Sequence, residues 1–387
     1  MPASRTIEGI AEEATAWRRD FHQHPELMFD VQRTADLVAE RLRAFGCDEV
    51  VTGLGRTGVV GVIRGKGPPG RAIALRADMD ALPIAERTNL PYASRTEGRM
   101  HACGHDGHTA MLLGAAKALC DSRQFAGTAV VVFQPAEEGG GGGRVMVEEG
   151  LMDRFGIAEV YGMHNLPGLA LGRFSLRPGP IMASADHFEI TIEGKGAHAA
   201  YPHGSLDPVL AGAQMVTALQ SIVSRNVDPL AACVVSVTQF HAGTTHNVIA
   251  QTATLGGTVR ALEPSIRDLA ESRLKTIVAG TAKAGGVEAS VAYRRGYPVT
   301  RNHPPQATFA AAVAGRLAGP SGVDTAMAPI MGAEDFAYML EARPGAMIFI
   351  GNGDSAGLHH PAYDFNDDAL RLGIGYWVGI VETALPA

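Results

Sequence analysis

The chain has 387 residues, 46% hydrophobic and 19% charged, which allows two domains with large buried cores and excludes a disordered chain. A formal net charge of −7 with no basic run excludes an electrostatic footprint for nucleic acid. Cys47, Cys103, Cys120 and Cys233 are too few and too scattered for a disulfide framework, and no stretch reaches the ~18 apolar residues that a membrane helix needs.

The N-terminal segment MPASRTIEGIAEEATAWRRDFHQHPE reads as an amphipathic helix without an apolar leader; with the cysteine usage, this sets the expectation of a cytoplasmic protein. Thr34 to Phe45 reads as a second helix. Thr57 to Ile63 and Ala72 to Arg76 read as strands, the latter almost wholly apolar and therefore buried. A helix rich in Ala, Leu and Met is expected from about Gly107 to Leu119, and a buried strand from Thr128 to Phe133, ending at Gln134-Pro135. This alternation predicts an α/β sheet layered by helices.

Between about Ser184 and Arg294 the texture changes. HFEITIEG alternates apolar and polar residues, as a half-exposed strand does. A helix from Pro208 to Val223, strands at Ala232 to Phe240 and Thr252 to Arg260, a helix from about Ile266 to Ala284 and a strand at Val287 to Tyr293 follow. The order β-α-β-β-α-β predicts a two-layer α+β unit. The first pattern resumes after Pro298, so the expected organisation is one discontinuous domain, residues 1–183 and 296–387, with 184–295 inserted.

Chemistry concentrates in four places. The segment MHACGHDGH carries His101, Cys103, His105, Asp106 and His108 just before a helix. Cys103 and His105 can converge on one ion where Gly104 and Gly107 let the backbone turn, although a Cys-x-His pair by itself is more often chance. Glu137 and Glu138 follow the Thr128 strand; neighbouring carboxylates there point in different directions, so one can bind metal while the other moves protons. Alone, they would be two solvated glutamates before a glycine loop. His164 follows a short strand-like run, and His359-His360 lies near the C-terminus; an α/β fold can gather such residues from separate strand ends.

RADMDALPI, HACGHDGHTAMLLGAA, QPAEEGG, GMHNLPG, MGAEDFAYM and HHPAYDFND, with FHQHPEL and GKGAHAAYPH, closely resemble the M20 metallopeptidase clan over nearly the whole chain. The likeness is to its amidohydrolase branch of hippurate hydrolases, N-acyl-L-amino acid amidohydrolases and auxin-conjugate hydrolases. The resemblance implies a discontinuous catalytic domain with a zinc-exopeptidase-like mixed sheet, and an inserted α+β lid and dimerisation domain. It implies that Cys103, His105, Glu138, His164 and His359 bind two divalent ions per subunit (manganese, zinc, nickel or cobalt), with Glu137 as general base. It also implies a homodimer or higher homo-oligomer, in which His198 reaches a partner subunit's site to hold the scissile carbonyl oxygen while Asn247 faces the substrate. Ala250-Gln251 departs from the Pro-Asp that relatives carry beside Asn247.

Asp78 and Asp80 end a buried strand; Asp80 orients a ligand histidine, or both cap the following turn. Asp106, His101 and His108 support the ligand loop. The expected reaction is hydrolysis of a small N-acyl amino acid to a carboxylic acid and a free amino acid, with no nucleic-acid or membrane partner. A dipeptidase or carboxypeptidase using the same ions is the alternative. All six ligand and base residues are present, which argues against a non-catalytic binding module. Gly139 to Gly143 lacks the GK[ST] or G-x-G-x-x-G context of a phosphate loop.

Overall fold

Two apolar runs set the first layer of the structure, a computed structural model that describes residues 3–387. Ala72–Asp78 and Thr128–Gln134 are strands buried almost throughout. They lie side by side and parallel, with Asp78 opposite Gln134. A strand covered on both faces has no solvent side and so needs no alternation. Ile157–Leu166 and Gly345–Gly351 extend the parallel set, placing His164 opposite Phe349. Antiparallel strands Gly58–Arg64 and Glu49–Leu54 continue the other side. With two short strands at the far edge, the mixed sheet has eight strands. Parallel register puts the carboxyl ends of the central strands together, so Asp78, Gln134 and Leu166 all leave the sheet on one edge.

The helix expected from Gly107 begins two residues earlier, spanning His105–Ser122, and Gly104 in left-handed conformation (φ 89°) precedes it. Its middle, from Ala110 to Ala116, is apolar or small all round, and the helix is buried on nearly every face. It packs between the N-terminal helix Ala3–Gln23 and the C-terminal helix Ala369–Ala384. The approach is close enough that a Cβ on Gly114 would lie 2.5 Å from Ile374 Cδ1. These elements belong to one unit: residues up to Gly179, Arg301–Ala328 and Asp335–Ala387.

A second unit comprises Pro180–Thr300 and Pro329–Glu334. Strands Ser184–Glu193, Cys233–Ala242, Thr252–Ala261 and Glu288–Arg295 form an antiparallel sheet in which Thr252–Ala261 and Ser184–Glu193 are central. Phe188, Ile190 and Ile192 pack with Met215 and Leu219 of helix Pro208–Leu219 and with Leu274 and Val278 of helix Pro264–Gly285. The first of these helices stops before Val223, because a π-turn at Ile222–Asn226 takes over. Residues 329–334, counted with the discontinuous domain in sequence, join this unit through Ile330 N–H to Ile181 O (3.0 Å) and Ala183 N–H to Gly332 O (2.9 Å). Its buried anchor is Asp186, which accepts from Arg267, Tyr293 Oη (2.7 Å) and Gly296 N (3.1 Å).

All four cysteines are free, yet two that lie far apart in sequence are neighbours: Cys47 and Cys120 sulfurs stand 3.7 Å apart. No helix among the described residues is long and apolar enough to cross a membrane.

Candidate metal centre

The strand ends bring Cys103, His105, Glu137, Glu138, His164 and His359 into overlapping groups, the candidate donor atoms of each group lying within 4.8 Å of one another. Cys103 and His105 flank Gly104 at the start of the buried helix. Glu137 and Glu138 lie in the turn after Thr128–Gln134, with Ala136 at φ 56°. His164 comes from the central parallel strand. His359, at φ 62°, is held to the Cys103 loop by its own N–H on Ala102 O (2.7 Å).

Hydrogen bonds decide which atoms are available. His105 Nδ1–H donates to the Asp80 carbonyl (2.8 Å) and His164 Nδ1–H to the Asn165 carbonyl (2.7 Å). A carbonyl can only accept, so Nδ1 keeps its proton and Nε2 is the nitrogen that carries the lone pair whenever either ring is neutral. His164 Nε2 is 3.4 Å from Cys103 Sγ. His105 Nε2 is 3.7 Å from Asp78 Oδ2 and 3.9 Å from oxygens of Glu137 and Glu138. Glu138 Oε1 is 3.3 Å from His359 Nε2. His105 Nε2 is buried without a hydrogen-bond partner, a costly arrangement unless something else binds it, and Glu138 Oε1 has His359 as its close neighbour. His360 Nδ1 instead accepts from Ala362 N (3.1 Å) in its own loop.

Electrostatics point the same way. Burial works against a charged His105, yet Asp78, Asp80 and Glu138 raise its pKa to about 10. Burial and the carboxylates of Glu138, Glu137 and Asp78 push the Cys103 thiol well up. Burial opposes ionisation of Glu138, but His359 and His105 hold its pKa below the ordinary value. The cluster is thus a negative field that seeks positive charge. A divalent cation fits it: His105 Nε2, Glu138 and Cys103 would hold such an ion, whose charge would favour the neutral imidazole and the thiolate. Thiolate and imidazole beside carboxylate suit a borderline transition-metal ion better than a hard cation requiring oxygen alone.

The surrounding residues divide between holding this cluster and standing apart from it. The Asp80 carboxylate accepts the peptide N–H groups of Glu137 (2.9 Å) and Glu138 (3.0 Å), fixing the turn that presents both glutamates. Asp80 also meets His105: its backbone carbonyl takes Nδ1–H (2.8 Å), and its carboxylate lies 3.6 Å from the same nitrogen. Asp78 accepts from His108 Nδ1 (2.6 Å) and Arg76 Nη1 (2.7 Å). His108 Nε2 accepts from Asn165 N (3.0 Å), so both its nitrogens are spent within the protein. Asp106 faces away from the cluster and pairs with His22 Nδ1 (2.8 Å) and Arg18. His101 is buried, with both ring nitrogens unpartnered, and burial drives its pKa down to about 4.

Arg76 and Asn165 were not singled out from the sequence. Arg76 is a buried hub that donates to Gln134 Oε1 (2.9 Å), Asp78 and Asp335 Oδ1 (2.8 Å). Its position inside an apolar strand was the available signal, since a buried arginine demands acidic partners.

His198 and Asn247 belong to the second unit, on a two-stranded ribbon in which His198 pairs with Val248. His198 Nδ1 accepts from Ala200 N (3.1 Å), which places its proton on Nε2, and Asn247 Oδ1 accepts from Thr245, leaving its amide N–H groups as donors. Gln251, at the departure from Pro-Asp, braces the adjacent turn through Gly196 N (3.0 Å) and Gly194 O (2.5 Å).

A mixed sheet with a thiol, imidazole and carboxylate cluster at its strand ends, and an α+β unit inserted in the chain, defines an α/β protein built around a candidate metal centre. Residues 74–383 match the model of peptidase family M20/M25/M40, and the chain belongs to that family. It is 44% identical to the hippurate hydrolase of Campylobacter jejuni, over 93% of each chain. It is 39% identical to an N-acetylcysteine deacetylase of Bacillus subtilis, over 95% of this chain and 96% of the relative. The solved structure of Bacillus subtilis YxeP, described as a dinuclear metal binding peptidase from the M20 family, superposes with a TM-score of 0.85 at 35% identity, covering 98% of this chain and 99% of that one.

Proposed function

We propose that the protein is a dinuclear-metal amidohydrolase that splits N-acyl amino acids into a carboxylic acid and a free amino acid. The observation that carries this is the convergence of donor atoms from Cys103, His105, Glu138, His164 and His359, with His105 Nε2 buried and lacking a hydrogen-bond partner, in a chain 44% identical to a hippurate hydrolase. Cys103, His105, Glu138, His164 and His359 would hold the ions, His359 rather than His360 because only the former stands beside Glu138. When bound, the ions supply Lewis acidity toward the amide carbonyl and lower the pKa of a nearby water from 15.7 toward roughly 7.

Glu137 takes a proton from the attacking water and returns it to the leaving nitrogen, so the amino acid departs as an amine. Its backbone, held on Asp80, keeps its carboxylate turned into the cluster, 3.9 Å from His105 Nε2. His198 would offer its Nε2–H to the carbonyl oxygen in a partner subunit's site, and Asn247 its amide to the substrate; the free donors on one ribbon support both roles. A homodimer through the second unit is supported by the exposed apolar side chains of Val209, Leu210 and Phe240. Free thiols throughout support a cytoplasmic location.

The test is to strip the metal, restore manganese, zinc, cobalt or nickel singly, and assay amino-acid release from benzoyl, acetyl, longer acyl and dipeptide substrates. Release from the acyl substrates is expected, and Glu137→Gln should lower kcat by about 100- to 10,000-fold with metal content unchanged. Retained turnover in that variant would remove Glu137 from the reaction. Silence with every metal and substrate would sink the enzymatic reading, and hydrolysis of dipeptides alone would favour the peptidase alternative.

A further inference from the structure

We propose that Asn165, braced by Tyr363, is the positioning residue that sets the spacing of the Cys103 and His164 metal ligands. This rests on the dinuclear reading above. Asn165 is fully buried and directly follows His164 on the central strand. Its carbonyl takes His164 Nδ1–H, which aims His164 Nε2 at Cys103. Its side-chain Nδ2 donates to the Cys103 carbonyl at 2.6 Å, and its Oδ1 accepts from Tyr363 Oη at 2.7 Å. The amide can adopt only this orientation, because the Cys103 carbonyl must receive a donor. The remaining Nδ2 hydrogen and the backbone N–H both face His108 Nε2, at 3.1 and 3.0 Å. One residue therefore ties the backbone of one ligand, the ring of a second and the histidine that restrains Asp78.

The glycine between Cys103 and His105 has its explanation here. A Cβ on Gly104 would fall 2.3 Å from Asn165 Nδ2 and 2.5 Å from Tyr363 Oη, and its φ of +89° is itself unfavourable for other residues. The clamp occupies the space that a side chain would need. Its side-chain donors go to the backbone carbonyl of a ligand residue and to His108.

The experiment loads metal-free protein with Co(II) and follows the near-ultraviolet thiolate-to-cobalt absorption together with the binding isotherm. The Asn165→Ala and Tyr363→Phe variants are compared with wild type after circular dichroism has shown that each folds. Asn165→Ala is expected to bind the thiolate-ligated ion 10- to 100-fold more weakly, with a shifted band. Tyr363→Phe, which deletes only one hydroxyl, should move both in the same direction by less. Should Asn165→Ala not fold, the isosteric Asn165→Asp, which points an acceptor at the Cys103 carbonyl, carries the same expectation. Wild-type affinity and band in a folded Asn165 variant would overturn the proposal. A wild-type protein that shows no thiolate band, or a Cys103→Ser variant that keeps it, would instead overturn the assignment of Cys103 as ligand, and the positioning role would fall with it.

Discussion

Replacing Asp80 by asparagine separates charge from shape under Glu137 and Glu138. The carboxylate accepts two peptide N–H groups, Glu137 on Oδ1 at 2.9 Å and Glu138 on Oδ2 at 3.0 Å. Asparagine can accept only one; its NH2 group then confronts the other N–H, which is left buried and unsatisfied. Losing a hydrogen bond to a charged acceptor costs about 1.5–3 kcal/mol and stranding the donor about 1–3 kcal/mol. Burial already disfavours the Asp80 carboxylate, raising its pKa, so removing that charge returns part of the cost. A net destabilisation of about 2–3 kcal/mol is expected. Metal affinity should fall 10- to 100-fold, about 1.4–2.8 kcal/mol, because Glu138 loses its seat. The measurements are denaturant unfolding of the metal-free protein, a metal titration, and kcat at saturating metal, which should also drop as Glu137 shifts. An Asp80→Asn protein within about 0.5 kcal/mol of wild type, with unaltered metal binding and turnover, would refute the claim that Asp80 holds this turn.

Three further outcomes follow from other buried groups. Burial favours neutral His22, but Asp106 and Glu86 carry its pKa up to about 9. A raised folded pKa stabilises fully below the unfolded value of 6.5 and is lost as pH climbs toward 9; the advantage of wild type over His22→Gln in denaturant melts should be flat below 6.5 and shrink across that window, and an advantage that grows there contradicts the pairing. Asp186→Ala strands the buried Arg267 guanidinium in the second unit and should cost about 3–5 kcal/mol, read as a lower unfolding midpoint; a loss under about 1 kcal/mol would mean that the pair is solvated. Because Cys47 and Cys120 sulfurs are 3.7 Å apart, treatment with a mild disulfide-forming oxidant such as diamide should join them within one chain and remove two titratable thiols, an effect abolished by Cys120→Ser; four thiols surviving the treatment would show that the backbone holds the sulfurs apart.

Local pattern was enough to mark the buried parallel strands, because residues covered on both faces must be apolar, and to separate the inserted α+β unit, whose strand Ser184–Glu193 alternates buried and exposed residues. Residue type narrowed the candidates, because few side chains can bind a transition metal, and the resemblance to the family's motifs nominated Cys103, His105, Glu138, His164 and His359. Which ring nitrogens stay available was not legible. MHACGHDGH offers three, and they differ only in what spends their nitrogens: a carbonyl of Asp80 for His105, Asp78 and Asn165 for His108, nothing for His101. Those partners lie on other strands and loops, brought near by sheet register rather than by sequence spacing. The same holds for Asn165, an ordinary strand residue until Tyr363, 198 positions later, closes on it, and for the Cys47 and Cys120 pair, which lies 73 residues apart. Sequence thus determined which atoms could do chemistry. Tertiary packing decided which of them keep a free lone pair, because that depends on hydrogen bonds that no local periodicity records.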